Sequence, residues 1–170
     1  MIASILSRDT CKACQICCRY DDNDIWDAPG FTSPEIERAR EIASFPYYEK
    51  RGLFFCCMEK EDGQYNCPLL SPEGCRLEEK KPFKCAIWPL YVVNLHGRLA
   101  LAISNVCPTV SRLSNESILT SLGATIQQIT QTACDYPELV EPMRPHFRKL
   151  CFLDQDSLQN SNSPNKYLRP

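Results

Sequence analysis

Residues Cys11 to Cys18 read CKACQICC, four cysteines in eight residues with the last two adjacent. No other stretch constrains the fold as strongly, because thiols at this density must be disulfide-bonded, held by a metal or individually buried. The chain carries twelve cysteines in all: Cys11, Cys14, Cys17, Cys18, Cys56, Cys57, Cys67, Cys75, Cys85, Cys107, Cys134 and Cys151. At 170 residues a domain buries roughly 70% of its unfolded surface and needs no covalent staples to fold. The opening MIASILSRDT has too short an apolar run for a signal peptide. No stretch approaches the ~20 apolar residues that a membrane-spanning helix requires. A soluble, cytoplasmic protein is therefore expected. In a reducing compartment, so many thiols point to metal or cluster ligands rather than disulfides; export by another route would restore the disulfide scaffold.

Cys11, Cys14 and Cys17 form C-x-x-C-x-x-C, a spacing that lets one loop offer three thiolates to an iron–sulfur cubane. A fourth ligand must come from elsewhere. In ferredoxins it is typically followed by proline, as are Cys67 and Cys107 here. Cys18 is harder to place, because adjacent side chains diverge on any regular backbone. Cys67, Cys75 and Cys85 follow as C-x7-C-x9-C, too loose for one tight knuckle. With Cys107, these thiols make eight candidates, enough for two four-thiolate centres. The expected division is Cys11, Cys14, Cys17 and Cys107 at one centre, with Cys18, Cys67, Cys75 and Cys85 at the other. A 4Fe-4S iron–sulfur cluster is preferred over zinc, since structural zinc commonly uses two C-x2-4-C knuckles and only one such region is present.

The layout resembles the YkgJ-type cysteine-cluster family of zinc- or iron-chelating domains. CKACQICC matches that family's CxxCxxCC signature, and CPLLSPEGCRLEEKKPFKCAIWPL places Cys67, Cys75, Cys85 and Pro89 as its second block does. The family's usual Arg-Pro stands here as Lys81-Pro82, and Ala86 occupies the place of an arginine, so no anion-binding role is carried over. The similarity covers residues 11–108. It implies metal or iron–sulfur binding by Cys11, Cys14, Cys17, Cys18, Cys67, Cys75 and Cys85, together with Cys107, but no reaction.

The remaining residues narrow the function classes. With 19 basic and 21 acidic side chains and a net charge of -2, the chain lacks the clustered cations that nucleic-acid binding uses. Cys56 and Cys57 lie in LFFCCM and are expected to pack as small hydrophobes, the alternative being that one of them neighbours the cluster; Cys134 and Cys151 are expected in the core. His96 falls in a hairpin turn and His146 in a Pro-flanked stretch, and neither has a catalytic partner at telling spacing. Asp21, Asp22, Asp24 and Asp27 lack the glycine and terminal glutamate of an EF-hand, and read as a solvated loop. A nucleophilic-cysteine enzyme would need one activated thiolate beside a base, which so many thiols and two histidines do not describe. A related cysteine-rich segment is associated with flagellin lysine methylases, but no glycine loop for S-adenosylmethionine is recognisable. The expected function is electron transfer or support of a partner enzyme, with a zinc-stabilised interaction module as the alternative and a cysteine-dependent or methyl-transfer-associated enzyme as the second.

The expected fold is a small α+β domain over residues 1–153, with one or two antiparallel hairpins, two main helices and cysteine-rich metal-binding loops. A polar tail follows over residues 154–170. Thr32 or Ser33 caps a helix that carries Pro34 at its start and runs toward Pro46. Ser114 caps a second helix, in which Ile118, Leu122, Ile126, Ile129 and Ala133 share a face. Hairpins are expected around the Glu-Asp-Gly turn after LFFCCM and around Asn94 to Gly97. Residues 135–151 read as a Pro-broken segment.

Overall fold

The computed structural model describes residues 8–22 and 25–153, so the polar tail, and Asp24 within the acidic loop, lie outside the described residues. The fold is α+β. In chain order, helix α1 (Arg8–Cys14) leads into strand β1 (Arg19–Tyr20), and helix α2 (Ser33–Ile42) follows. Three short hairpins come next. They pair β2 (Tyr47–Lys50) with β3 (Leu53–Cys56), β4 (Glu59–Glu61) with β5 (Gln64–Asn66), and β6 (Leu70–Ser71) with β7 (Gly74–Cys75). Helix α3 (Phe83–Ile87) precedes a long hairpin of β8 (Leu90–Leu95) and β9 (Arg98–Ser104). Helices α4 (Pro108–Ser111), α5 (Asn115–Leu122) and α6 (Thr125–Asp135) come next, and β10 (Glu141–Pro142) and β11 (Phe147–Phe152) end the described chain.

Three of the hairpins use the same local device. Arg51-Gly52, Asp62-Gly63 and His96-Gly97 each place two consecutive residues at positive φ, the signature of a two-residue turn whose twist matches the paired strands. The sequence identifies the second and third of these turns. The first is missed: Leu53–Cys56 pairs backward with Tyr47–Lys50 rather than forward across the Glu-Asp-Gly turn.

The main sheet has the strand order β10-β8-β9-β11, with β10 parallel to β8 and the other pairs antiparallel. Both its faces are covered. Leu90, Val92, Leu101 and Ile103 face α5 and α6, where Ile118, Leu122, Ile129 and Ala133 complete the largest core. Tyr91, Val93, Ala100, Ala102 and Phe147 form the opposite layer, with the Tyr91 and Phe147 rings stacked at 4.4 Å. The helix expected from Ser114 onward is interrupted at Gly123, whose φ of 47° and ψ of -127° leave the helical region. Its apolar face survives the break. Strand β11 was not legible because its register shifts between Lys149 and Cys151; such a bulge breaks the alternation that marks a strand.

A second core lies under α2, built from Phe31, Ile36, Ala39, Ala43, Phe45, Cys56, Leu69 and Leu77. Helix α2 ends at Ile42 rather than near Pro46, because Ala43 turns extended and the chain beyond it carries Phe45 into this core. Among the described residues no helix is long and apolar enough to cross a membrane. Replacing the fully buried Ile118 by alanine should cost about 2–5 kcal/mol, read as a lowered midpoint in chemical denaturation; a loss under ~1 kcal/mol would contradict the packing of α5 on the sheet.

Candidate metal centre

The cysteine-rich loops meet at a cavity of about 40 Å³ whose wall carries six thiols: Cys17, Cys18, Cys56, Cys67, Cys75 and Cys85. They arrive from separate elements. After α1, Gln15 adopts a left-handed conformation and Ile16–Cys18 winds a single tight turn, with the Cys18 N–H donating to the Gln15 carbonyl at 2.9 Å. β1 then pairs antiparallel with β5, Arg19 opposite Asn66 and Tyr20 opposite Tyr65. One step further along the same register sets Cys18 beside Cys67, whose N–H donates to the Cys18 carbonyl at 2.9 Å. The Tyr20 hydroxyl donates to the Cys17 carbonyl at 2.7 Å and fixes the turn from below.

The side chains of Cys17 and Cys18 do not diverge as adjacent residues on a regular backbone would. Their sulfurs are 3.9 Å apart and line one cavity. The divergence rule holds for regular backbone, whereas the tight turn that follows left-handed Gln15 and runs directly into β1 is not regular.

Cys67 and Cys75 sit in two similar turns, Cys67-Pro68-Leu69-Leu70 and Cys75-Arg76-Leu77-Glu78. The Leu70 N–H donates to the Cys67 carbonyl at 2.9 Å, and the backbone N–H groups of Leu69 and Leu70 act to lower the pKa of Cys67, as those of Leu77 and Glu78 do for Cys75. Hydrogen bonds of this kind favour the charged thiolate. Leu69 and Leu77, 1% and 2% exposed, anchor both turns in the core beneath α2. Pairing of Leu70 with Cys75, and an Arg76 N–H to Leu69 carbonyl bond of 2.8 Å, lock the turns together.

Cys85 comes from α3, and that helix is positioned by α2. The Glu35 carboxylate accepts the Thr32 N–H at 2.8 Å as part of a capping box, and with its other oxygen accepts the Phe83 N–H at 2.7 Å. One side chain thus fixes the start of both helices.

Burial and crowding govern the protonation of these thiols. Cys17 is held down to about 7, first by the hydrogen bond from Cys18 and further by the Lys81 ammonium on the cavity wall, against the effect of burial. Cys18 is driven far up by that same bond, by burial and by neighbouring thiolate charge. Cys56 and Cys67 repeat the pattern: their shared hydrogen bond lowers Cys67, with help from the Leu69 and Leu70 N–H groups, and raises Cys56. Cys75 and Cys85 are pushed up, foremost by burial. Two proton-sharing pairs and two half-buried thiols therefore face one space, where each negative charge opposes the next. A cation placed there would reverse that balance.

The sequence-predicted residues divide cleanly by position. Cys17, Cys18, Cys67, Cys75 and Cys85 are brought together. Cys14 is exposed at the end of α1 and does not line the cavity, and the side chain of Cys11 lies outside the described residues. Cys107, 3% exposed, caps α4 and belongs to the core of the main sheet. Cys56, for which packing is the expectation preferred over a place beside the cluster, lines the cavity. Cys134, expected in the core, is exposed because it stands one position beyond the buried Ala133 on the turning helix. Cys57 is half-buried, and Cys151 packs at the margin of the main core. His96 occupies the β8–β9 turn, and the His146 ring lies edge-on to Phe147.

The acidic loop is not simply solvated. Asp22 pairs with Lys60 at 2.6 Å, and Asp27 is half-buried against Arg144. Arg144 also meets Glu141 at 2.8 Å, and Glu141 meets Lys84 at 2.6 Å. This network borders a smaller cavity of about 20 Å³ that shares Cys17 and Cys85 with the first. Tyr20 and Lys81 are among the wall residues that sequence reasoning missed; Lys81 had a signal, its place before Pro82 in the second cysteine block.

Among the described residues, no three His, Cys, Asp or Glu side chains are drawn close enough to enclose a metal ion as they stand. The six thiols ring the cavity rather than converge on a point, so sharing an ion requires them to turn inward. No protein-family model, curated protein or solved structure matches the chain.

In the reduced chain stripped of metal by chelator, alkylation of Cys17 should rise with pH around a midpoint near 7, because its thiolate fraction grows through that value. Peptide mass spectrometry across pH 5–10 reads the profile. A midpoint at or above the value of free cysteine, about 8.5, would show that Cys18 and Lys81 do not stabilise the thiolate.

Proposed function

We propose that the protein is a cytoplasmic metal-binding protein whose cysteine cavity is the seat of an iron–sulfur cluster, serving electron transfer or supporting a partner enzyme. What carries this reading is the convergence of thiols from distant segments on one partly buried cavity whose wall, among the described residues, bears no histidine, aspartate or glutamate. A sulfur-only donor set suits iron–sulfur clusters and thiophilic ions and suits hard cations poorly. Cys17, Cys18, Cys67, Cys75 and Cys85 supply more than the four thiolates a cluster takes. The N–H groups aimed at Cys67 and Cys75 would orient those sulfurs and stabilise their charge, as outer partners of metal ligands do. When bound, a cluster supplies one-electron transfer. The resemblance to the YkgJ-type cysteine-cluster family points the same way.

Zinc is the second reading, favoured by a specific observation. Cys14 is exposed and away from the cavity wall, so the C-x-x-C-x-x-C run does not present its thiols together as a ferredoxin loop would. The paired turns at Cys67 and Cys75 serve a tetrahedral zinc ion equally well.

Anaerobic purification followed by iron, zinc and acid-labile sulfide analysis separates these readings. Stoichiometric iron with sulfide is the expected result; zinc without sulfide would replace the cluster with the second reading, and neither metal would sink both. Changing an outer partner of a ligand typically costs about 10–100-fold in affinity. Cys67→Ser or Cys85→Ser should therefore reduce metal retention at least that much, while Cys134→Ser leaves it unchanged.

A further inference from the structure

We infer that Cys56 is a metal ligand of this cavity, binding a thiophilic divalent cation through its sulfur; this rests on the reading of the cavity as a metal centre. Cys56 falls outside both cysteine blocks, and its neighbours in LFFCCM mark it as a core residue. Its position says otherwise. It ends β3, opposite Tyr47 in the β2–β3 register, and is only 6% exposed. Yet its surface faces the cavity wall shared by Cys17, Cys18, Cys67, Cys75 and Cys85. Cys67 lines the same wall, held by its N–H bond to the Cys18 carbonyl at 2.9 Å.

Two structural features hold Cys56 in place independently of the other thiols. The Cys57 N–H donates to the Pro46 carbonyl at 2.8 Å, closing the β2–β3 hairpin just beyond Cys56. Phe31 bridges to Phe54 through two backbone bonds of 2.8 and 2.9 Å on the other edge of β3. The strand end is therefore rigid, and the sulfur is presented to the cavity by the sheet rather than by a loop. Rigid elements place ligands more accurately than loops do. In contrast, Cys14 and Cys107, which the sequence pattern nominates, do not line the wall.

A weaker role must be told apart from ligation: Cys56 could act only through Cys67, as an S–H donor to that thiolate. Serine keeps a hydroxyl donor but supplies no thiolate. If Cys56 binds the ion, Cys56→Ser and Cys56→Ala should both weaken Zn(II) binding by about tenfold or more, measured against a competing chelator. If it acts as a donor, Cys56→Ser should bind like the unaltered chain, and that result would overturn the inference. Loading the unaltered full chain with ¹¹³Cd(II) gives a test free of folding effects, since coupling between ¹¹³Cd and cysteine β-protons reports each metal–sulfur bond directly. A correlation to the Cys56 β-protons is the expected result. Correlations to Cys67, Cys75 or Cys85 without one to Cys56 would remove Cys56 as a ligand and leave the centre standing; no cadmium correlation to any cysteine would overturn both.

Discussion

The backbone ladder between β1 and β5 is the interaction on which the rest of the site depends. Through it, two residue pairs and the bond from the Cys67 N–H to the Cys18 carbonyl join an N-terminal turn to a loop some fifty positions away. Neither strand exceeds three residues, so the ladder alone cannot be stable. It persists because Tyr20 is buried and hydrogen-bonded beneath the turn, and because Leu69 and Leu77 anchor the facing loop in a separate core. Hydrophobic burial thus holds the frame, and the frame holds the thiols.

The frame also explains an electrostatic conflict. Folding crowds thiols into partly buried space where thiolates repel and water is scarce, and burial first, then neighbouring thiolate charge, pushes the protons back onto Cys75 and Cys85. Lys81 relieves the conflict only in part, favouring the charged forms of Cys17, Cys75 and Cys85. N–H groups directed at Cys67 and Cys75 do so locally. Under the proposed reading a bound cation would compensate the repulsion while using the donors already in place.

The sequence made the fold class and much of the frame legible, through signals that act locally. Pro34 after the Thr32 or Ser33 cap marked α2, the Asp62-Gly63 and His96-Gly97 turns marked two hairpins, and the period of Ile118, Leu122, Ile129 and Ala133 marked the helical face on the main sheet. Five site thiols, Cys17, Cys18, Cys67, Cys75 and Cys85, were also visible as a pattern. What was hidden depended on three-dimensional register. The direction of Cys18 followed from a left-handed Gln15 and a tight turn, which no periodicity announces. Cys56 looked like a core residue because it is one: it is buried beneath α2 and faces the cavity as well. Asp27 looked solvated because its partner, Arg144, lies 117 positions away.

The central claim is that sulfur from these converging segments, and little else, binds a metal. X-ray absorption at the edge of whichever metal copurifies with the chain measures that most directly. The account predicts a first shell fitted by sulfur alone, at about 2.3 Å, with no nitrogen or oxygen neighbours. A shell dominated by nitrogen or oxygen would place the metal elsewhere on the molecule and contradict the account.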